Sequence, residues 1–137
     1  MTLLFDTNII LDIALIRLPF YEHSSQVFKL IDGSKFKGCI TASSFTYIYY
    51  IIKKNSNHDK AIFFIESLLS TIDVLNVNKD TIMLAVHSNF SDFEDAVQSA
   101  SAELNQVDLI VSRNVKDFIG SKITTLSPTE FLEKYKQ

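Results

Sequence analysis

The stretch Leu3-Leu4-Phe5-Asp6-Thr7-Asn8-Ile9-Ile10-Leu11-Asp12 decides the fold. Thr2 to Phe5 is a short apolar run stopped by the turn formers Asp6, Thr7 and Asn8, which predicts a buried strand ending in a turn. Ile9, Leu11, Ile13 and Leu15 to Leu18 follow too densely for a solvent-facing strand, so they predict a helix buried on most sides. Everything downstream either continues this strand-then-helix order or breaks it.

It continues. Pro19 closes the first helix or opens the next, where Val27, Leu30 and Ile31 keep i, i+3, i+4 spacing. Gly33 and Gly38 bracket a turn, and Gly38 to Thr41 is a short strand candidate. Ala42 to Lys54 is rich in residues that suit a strand, but its length and the spacing of Phe45, Ile48, Tyr49 and Ile52 favour a helix. Asn55 to Asp59 reads as a turn, Ala61 to Ser70 as a helix and Ile72 to Val77 as an alternating strand. Helices are expected over Lys79 to His87 and Asp92 to Leu104, and strands over Leu109 to Val111 and Ile123 to Leu126. Ser127-Pro128-Thr129-Glu130 opens a last helix, with its proline near the first turn. Strands separated by helices imply an α/β fold with a mostly parallel sheet covered on both faces.

Composition narrows the class. Hydrophobic residues make up 47% of the 137 and charged residues 21%, a globular balance, and 3 Gly with 2 Pro leave little room for a linker. No repeat or charge block divides the chain, so residues 1–137 read as a single domain. Cys39 has no partner for an internal disulfide, and with His23, His58 and His87 alone no Cys/His zinc cluster is available. No basic run precedes the apolar opening, as a secretory signal would want, and Asp6, Asn8 and Asp12 interrupt it too soon for a membrane span. The expectation is a cytoplasmic protein with no membrane partner. Thirteen Lys+Arg against 16 Asp+Glu give a net charge of −3, which argues against nucleic-acid affinity resting on bulk charge, though a local basic patch remains open.

In parallel sheets chemistry gathers beyond the carboxyl ends of the strands. Three acidic or amide-bearing stretches fall where that rule looks: Asp6-Thr7-Asn8, Asp92-Phe93-Glu94-Asp95, and Ser112-Arg113-Asn114-Val115-Lys116-Asp117-Phe118. Carboxylates brought together repel, and a hard cation such as Mg²⁺ or Mn²⁺ relieves that repulsion while activating water. Each stretch also has a plainer reading. Asp6 can cap the helix after it, Ser91 with Glu94 fits a capping box, and Asn114 and Asp117 can be turn residues. Asp12, Asp32, Asp73 and Asp80 read as solvated or capping, and Cys39 as an inert small hydrophobe.

Taken together the three stretches resemble the PIN-domain family, with bacterial VapC-type toxins as the nearest pattern. Leu3-Leu4-Phe5-Asp6-Thr7-Asn8 looks like the family's opening. Asp92-Phe93-Glu94-Asp95-Ala96, with Ala100 and Ala102 after it, looks like its central acidic motif, and Ser112-Arg113-Asn114 through Asp117-Phe118 like its strand-end motif. The resemblance implies a three-layer, Rossmann-like α/β/α domain with a central sheet of about five strands. It implies a Mg²⁺- or Mn²⁺-dependent endoribonuclease, the toxin of a toxin–antitoxin pair. Asp6 and Asp95 would be metal ligands, direct or through water, and Asn114 or Asp117 the fourth site group. Asp117 is counted with Asp6 and Asp95 as a metal residue, and Thr7, Asn8 and Ser112 orient ligands or water.

One departure stands out. Many active members carry a Glu roughly six residues past a Ser/Thr on the helix after the second strand, a position that falls here at Thr46 or Tyr47. A phenol is a poor Mg²⁺ ligand at neutral pH. Glu94 is one substitute; a binding module without catalysis is the alternative function. Tyr47 and Tyr50, with Lys53, Lys54, Arg113 and Lys116 as cations, can hold unpaired bases and phosphates, or the tyrosines can simply pack in the core. Asn8 cannot supply the second carboxylate of a haloacid-dehalogenase phosphatase, and no acidic pair follows the first strand as a receiver domain needs. The partners implied are RNA, an antitoxin covering the acidic site and a second copy of the chain. Ile9 to Leu18 is a candidate part of that protein-binding surface.

Overall fold

The structure is a computed structural model that describes residues 1–31 and 34–135. The turn expected at Gly33, and Asp32 with it, lies outside the described residues. Five strands form one sheet in the order β3-β2-β1-β4-β5. They are β1 (Thr2–Phe5), β2 (Lys37–Thr41), β3 (Asp73–Leu75), β4 (Leu109–Val111) and β5 (Thr124–Leu126), and every pairing is parallel. The helices between them are α1 (Thr7–Ala14), α2 (Phe20–Lys29), α3 (Phe45–Asn55), α4 (His58–Leu69), α5 (Lys79–Val86), α6 (Phe93–Leu104) and α7 (Pro128–Tyr135).

Two cores lie on opposite faces of the sheet. Strand side chains alternate, so Leu3, Phe5, Ile40, Leu109 and Val111 pack with Ile9, Ile10, Val27, Ile48 and Phe131 on one side. Leu4, Cys39 and Ile110 meet Ala102 and Phe118 on the other. Truncating a buried ring such as Phe131 would cost about 3–5 kcal/mol, because the cavity left behind adds to the lost transfer energy. Gly38 is required where it stands: a Cβ there would sit 2.5 Å from Ile31 Cδ1 and 3.0 Å from Phe5 Cε2. Cys39 is buried, its thiol donates to Leu3 O at 3.3 Å, and burial pushes its pKa up to about 12, an inert core thiol as expected.

Several boundaries differ from expectation, each for a local reason. Asp6-Thr7-Asn8 is not a free turn, because α1 starts at Thr7 and its first N–H bonds close at once, Ile9 N–H to Asp6 O at 2.9 Å. That helix stops at Ala14 instead of running to Leu18. The chain leaves it through Ile16, φ 51°, a left-handed conformation that costs a β-branched residue about 1–3 kcal/mol. The reversal lets Arg17 N–H return to Asp12 O at 2.9 Å. Of the segment Ile9 to Leu18, Ile9, Ile10 and Leu11 are core, whereas Ile16 and Leu18, past the end of α1, are exposed. Residues Ala42–Ser44 form a short 3-10 turn before α3, α4 begins early on an Asn57 cap, and Val115–Phe118 is also 3-10. No helix among the described residues is long and apolar enough to cross a membrane.

Candidate functional site

Register builds the site. Parallel pairing sets Phe5 beside Val111, so Asp6 and Ser112 leave the sheet side by side. Asp6 N–H donates to Val111 O at 2.9 Å and Ser112 N–H to Leu126 O at 3.0 Å, which fixes both backbones. Ser112 Oγ then donates to Asp6 Oδ2 at 2.7 Å, and Asn114 N–H donates to Ser112 Oγ at 3.0 Å. From α6, Gln98 Nε2 donates to Asp6 Oδ1 at 3.1 Å. Asp6 is 3% exposed, so a carboxylate is held in the interior by neutral donors. Burial raises its pKa, and the bonds from Ser112 and Gln98, helped by the Thr7 and Asn8 amides, pull it back down. Those amides sit too loosely to make a cap bond, so Asp6 does not cap α1 with its side chain.

The N-terminus of α6 brings the second group of acids. Asp92 is the cap, its Oδ1 accepting from Asp95 N–H at 3.0 Å; the Ser91–Glu94 capping box anticipated from the sequence does not form. Capping by Asp92 leaves the Glu94 and Asp95 carboxylates to face the strand ends. Desolvation pushes the Asp95 pKa up to about 7, with the charges of Asp6, Asp92, Asp117 and Glu94 adding to it. Glu94 is raised by burial and by Asp6 and Asp92, and the Thr7 hydroxyl offsets part of this. Thr7 Oγ1 also donates to Ser44 Oγ at 2.7 Å, with Thr41 2.9 Å further on, so a chain of hydroxyls lines the β2–α3 junction. One hydroxyl hydrogen cannot serve both Ser44 and Glu94; the 2.7 Å contact is the firm bond.

Ion pairing divides the molecule's carboxylates. Among the described residues neither Lys nor Arg pairs with Asp6, Glu94, Asp95 or Asp117; the ion pairs go to Asp12 and Glu103. Asp12, expected to be solvated or capping, is instead 0% exposed, with Arg113 Nε 2.8 Å from Oδ2 and Arg17 Nη1 3.6 Å from Oδ1. The Nε–Oδ2 contact is short but out of line for a hydrogen bond, while Arg113 Nη2 donates to Oδ1 at 3.4 Å. Arg113 is therefore committed to Asp12 and lies over the Phe20 ring, 4.2 Å from its centroid, rather than lining the acidic centre.

Of the residues singled out, Asp6, Glu94, Asp95 and Asp117 share one electrostatic neighbourhood, and Thr7, Asn8, Ser112 and Asn114 hydrogen-bond at its edge. Tyr47 and Tyr50 are 44% and 56% exposed on α3, away from the core reading. Among the described residues no three His, Cys, Asp or Glu side chains converge closely enough to hold a metal ion as they stand. The donor set nonetheless suits a hard divalent cation: it is all oxygen, mutually repulsive and, among the described residues, without a counter-charge. Gln98 was not foreseen as a site residue, and Asp92, named in the acidic stretch, takes the capping role. Gln98 sits one helical turn past Asp95, on the same face of α6, and that spacing was the available signal.

The PIN domain model matches residues 2–116, and the chain belongs to the PIN domain family. A search of curated proteins finds no match to the sequence. Among solved structures the chain is similar to DNA-bound VapBC from Salmonella typhimurium, at TM-score 0.75 and 15% identity over 93% of this chain and 98% of that one. A toxin–antitoxin complex from Klebsiella pneumoniae gives 0.70 and 23%, over 91% and 96%. Mycobacterium tuberculosis VapC20, described as a sarcin-ricin loop cleaving toxin, gives 0.65 and 11%, over 79% and 86%. At such identities the likeness establishes the fold, the five-stranded parallel α/β sheet described above.

Proposed function

We propose that this chain is a Mg²⁺- or Mn²⁺-dependent endoribonuclease, the toxin of a toxin–antitoxin pair. The observation that carries the reading is the Asp95 carboxyl, raised to about 7 by burial and by Asp6, Asp92, Asp117 and Glu94, with no cation among the described residues paired to them. Asp6 and Asp95 would hold the cation, with Asn114 or Asp117 reached through water. When bound, such a cation polarises a phosphoryl oxygen and lowers the pKa of water.

The chain's own groups do the rest. Ser112 and Gln98 fix both oxygens of Asp6, so its remaining lone pairs point in set directions. Asp95 gives up its proton as the cation binds, because a positive charge beside it offsets the neighbouring carboxylates that raise its pKa. Glu94, beside Thr7 and Asp6, stands in for the acid that Tyr47 displaces from α3. Exposed Tyr47 and Tyr50 offer rings on which unpaired bases stack. The toxin–antitoxin neighbours support an antitoxin partner, a chain with a cationic group for this acidic centre. Exposed Ile82, Met83 and Val86 on α5 support a second copy of the chain.

A non-catalytic binding module is the second reading, favoured by Tyr47 and by the lack of three converged ligands among the described residues. Both meet one experiment. With Mn²⁺ the purified protein should cleave a structured RNA, and Asp6→Asn should lower the rate by about 10²–10³-fold without loss of stability. Equal rates for the two proteins overturn the nuclease reading.

A further inference from the structure

A cavity of about 360 Å³ lies between the first turns of α2 and α7. Its size falls near the lower end of small-molecule sites, about 300–1,000 Å³. Phe20, His23 and Ser24 of α2, Pro128 of α7 and Arg113 line it. Ser24 is 0% exposed, yet its hydroxyl has no hydrogen-bond partner among the described residues, an arrangement that costs free energy unless something answers it. The start of α2 carries no side-chain cap, whereas that of α7 is closed by Ser127 and Glu130, each bonding the other's backbone N–H at 3.1 and 3.0 Å. An uncapped helix start of this kind favours an anion.

Charge and shape narrow the ligand. Arg113 donates Nη2 to Asp12 and sets Nε against it as an ion pair, and no acceptor among the described residues takes Nη1. Arg17 and Arg113 together outweigh Asp12 by one positive charge. The guanidinium stacked on Phe20, with Pro19 and Pro128 nearby, makes the rest of the wall flat and apolar. A planar base with a phosphate fits such a wall better than a carboxylate side chain does. Arg113 also follows Ser112, which holds Asp6, so the chain passes directly from the acidic centre to the wall of the cavity.

We propose that this cavity binds a nucleotide of the RNA, its phosphate against Arg113, His23 and Ser24 and its base against Phe20 and Pro128. The assignment rests on the ribonuclease reading for its role but is tested without cleavage. ¹⁵N-labelled protein in EDTA is titrated with 5′-AMP, inorganic phosphate and succinate, following amide shifts. Saturable shifts are expected at Phe20, His23 and Ser24 with 5′-AMP, and affinity about tenfold weaker for the other two ligands. Ser24→Ala removes an unpartnered buried hydroxyl, so it should keep or raise the melting temperature while weakening 5′-AMP about tenfold. His23→Ala, on an exposed residue, should weaken it as well. Shifts confined to the acidic centre, phosphate or succinate binding as tightly as 5′-AMP, or both variants binding like the parent would overturn the assignment. RNA cleavage with a silent cavity removes this proposal alone; a responsive cavity in a protein that cleaves no RNA removes the nuclease reading alone.

Discussion

Asp6 and Asp12 stand less than two helical turns apart, at 3% and 0% exposure, and the molecule treats them in opposite ways. Asp12 is answered by two guanidinium groups, Arg113 at 2.8 Å and Arg17 at 3.6 Å. Asp6 has only neutral donors, Ser112 and Gln98, and it adds to the charges that raise Asp95. A buried carboxylate with its counter-charge built in ties elements together; one without it is poised to take a cation from outside. The contrast makes Asp12 structural and, on the proposed function, leaves Asp6 to the cation, although the two look alike in sequence.

The largest effect expected is at the paired acid. Arg113→Ala leaves Asp12 buried with Arg17 alone and removes the stack on Phe20, so stability should fall by about 3–5 kcal/mol in urea unfolding. A loss under about 1 kcal/mol would mean that the pair behaves like a surface one and that the contrast is false.

The unpaired side should respond with the other sign. Asp95 has a pKa of about 7 in the folded chain against the usual carboxylate value when unfolded. The folded state holds that proton more tightly, so its contribution is fully present below about pH 4 and is lost as pH rises through about 7. Without divalent cations, Asp95→Asn should therefore stabilise the protein at pH 8 by about 1–2 kcal/mol, the unscreened value being reduced because the group is only partly buried. It should also flatten the pH profile. Asp6→Asn keeps its partners, since Ser112 can donate to the new amide oxygen and Gln98 can flip its unpartnered Oε1 toward the new N–H₂. Its melting temperature should match the parent's or exceed it.

The smallest effect sharpens the picture of α6. Asp92→Ala loses the cap bond to Asp95 N–H, worth about 1 kcal/mol, but also removes a like charge from Asp95. The net change should stay within about 0.5 kcal/mol, while NMR titration should find the Asp95 pKa lowered.

Sequence made the sheet order of events readable because Leu3 to Phe5 and Leu109 to Val111 are apolar runs ending in polar residues, and a parallel register then brings those ends together. The meeting of Asp6 with Ser112 was legible for that reason. Asp12 was not, because its partner Arg113 is distant in sequence and no local pattern pairs them. The Ser91 box failed because Asp92, one residue later, caps equally well and sequence spacing cannot choose between them. Gln98 was hidden in the apolar stripe of α6, where a buried amide reads as an exception until its acceptor is known. The end of α1 at Ala14 depends on Ile16 adopting a conformation that its side chain disfavours, which propensity argues against.

Calorimetric titration with Mn²⁺ in two buffers of different ionisation enthalpy at pH 7 tests the central claim most directly. The account predicts one ion bound, with release of about half a proton as Asp95 ionises, and no binding in Asp6→Asn or Asp95→Asn. Absence of binding at millimolar Mn²⁺, or binding that both variants retain with no proton released, would contradict it.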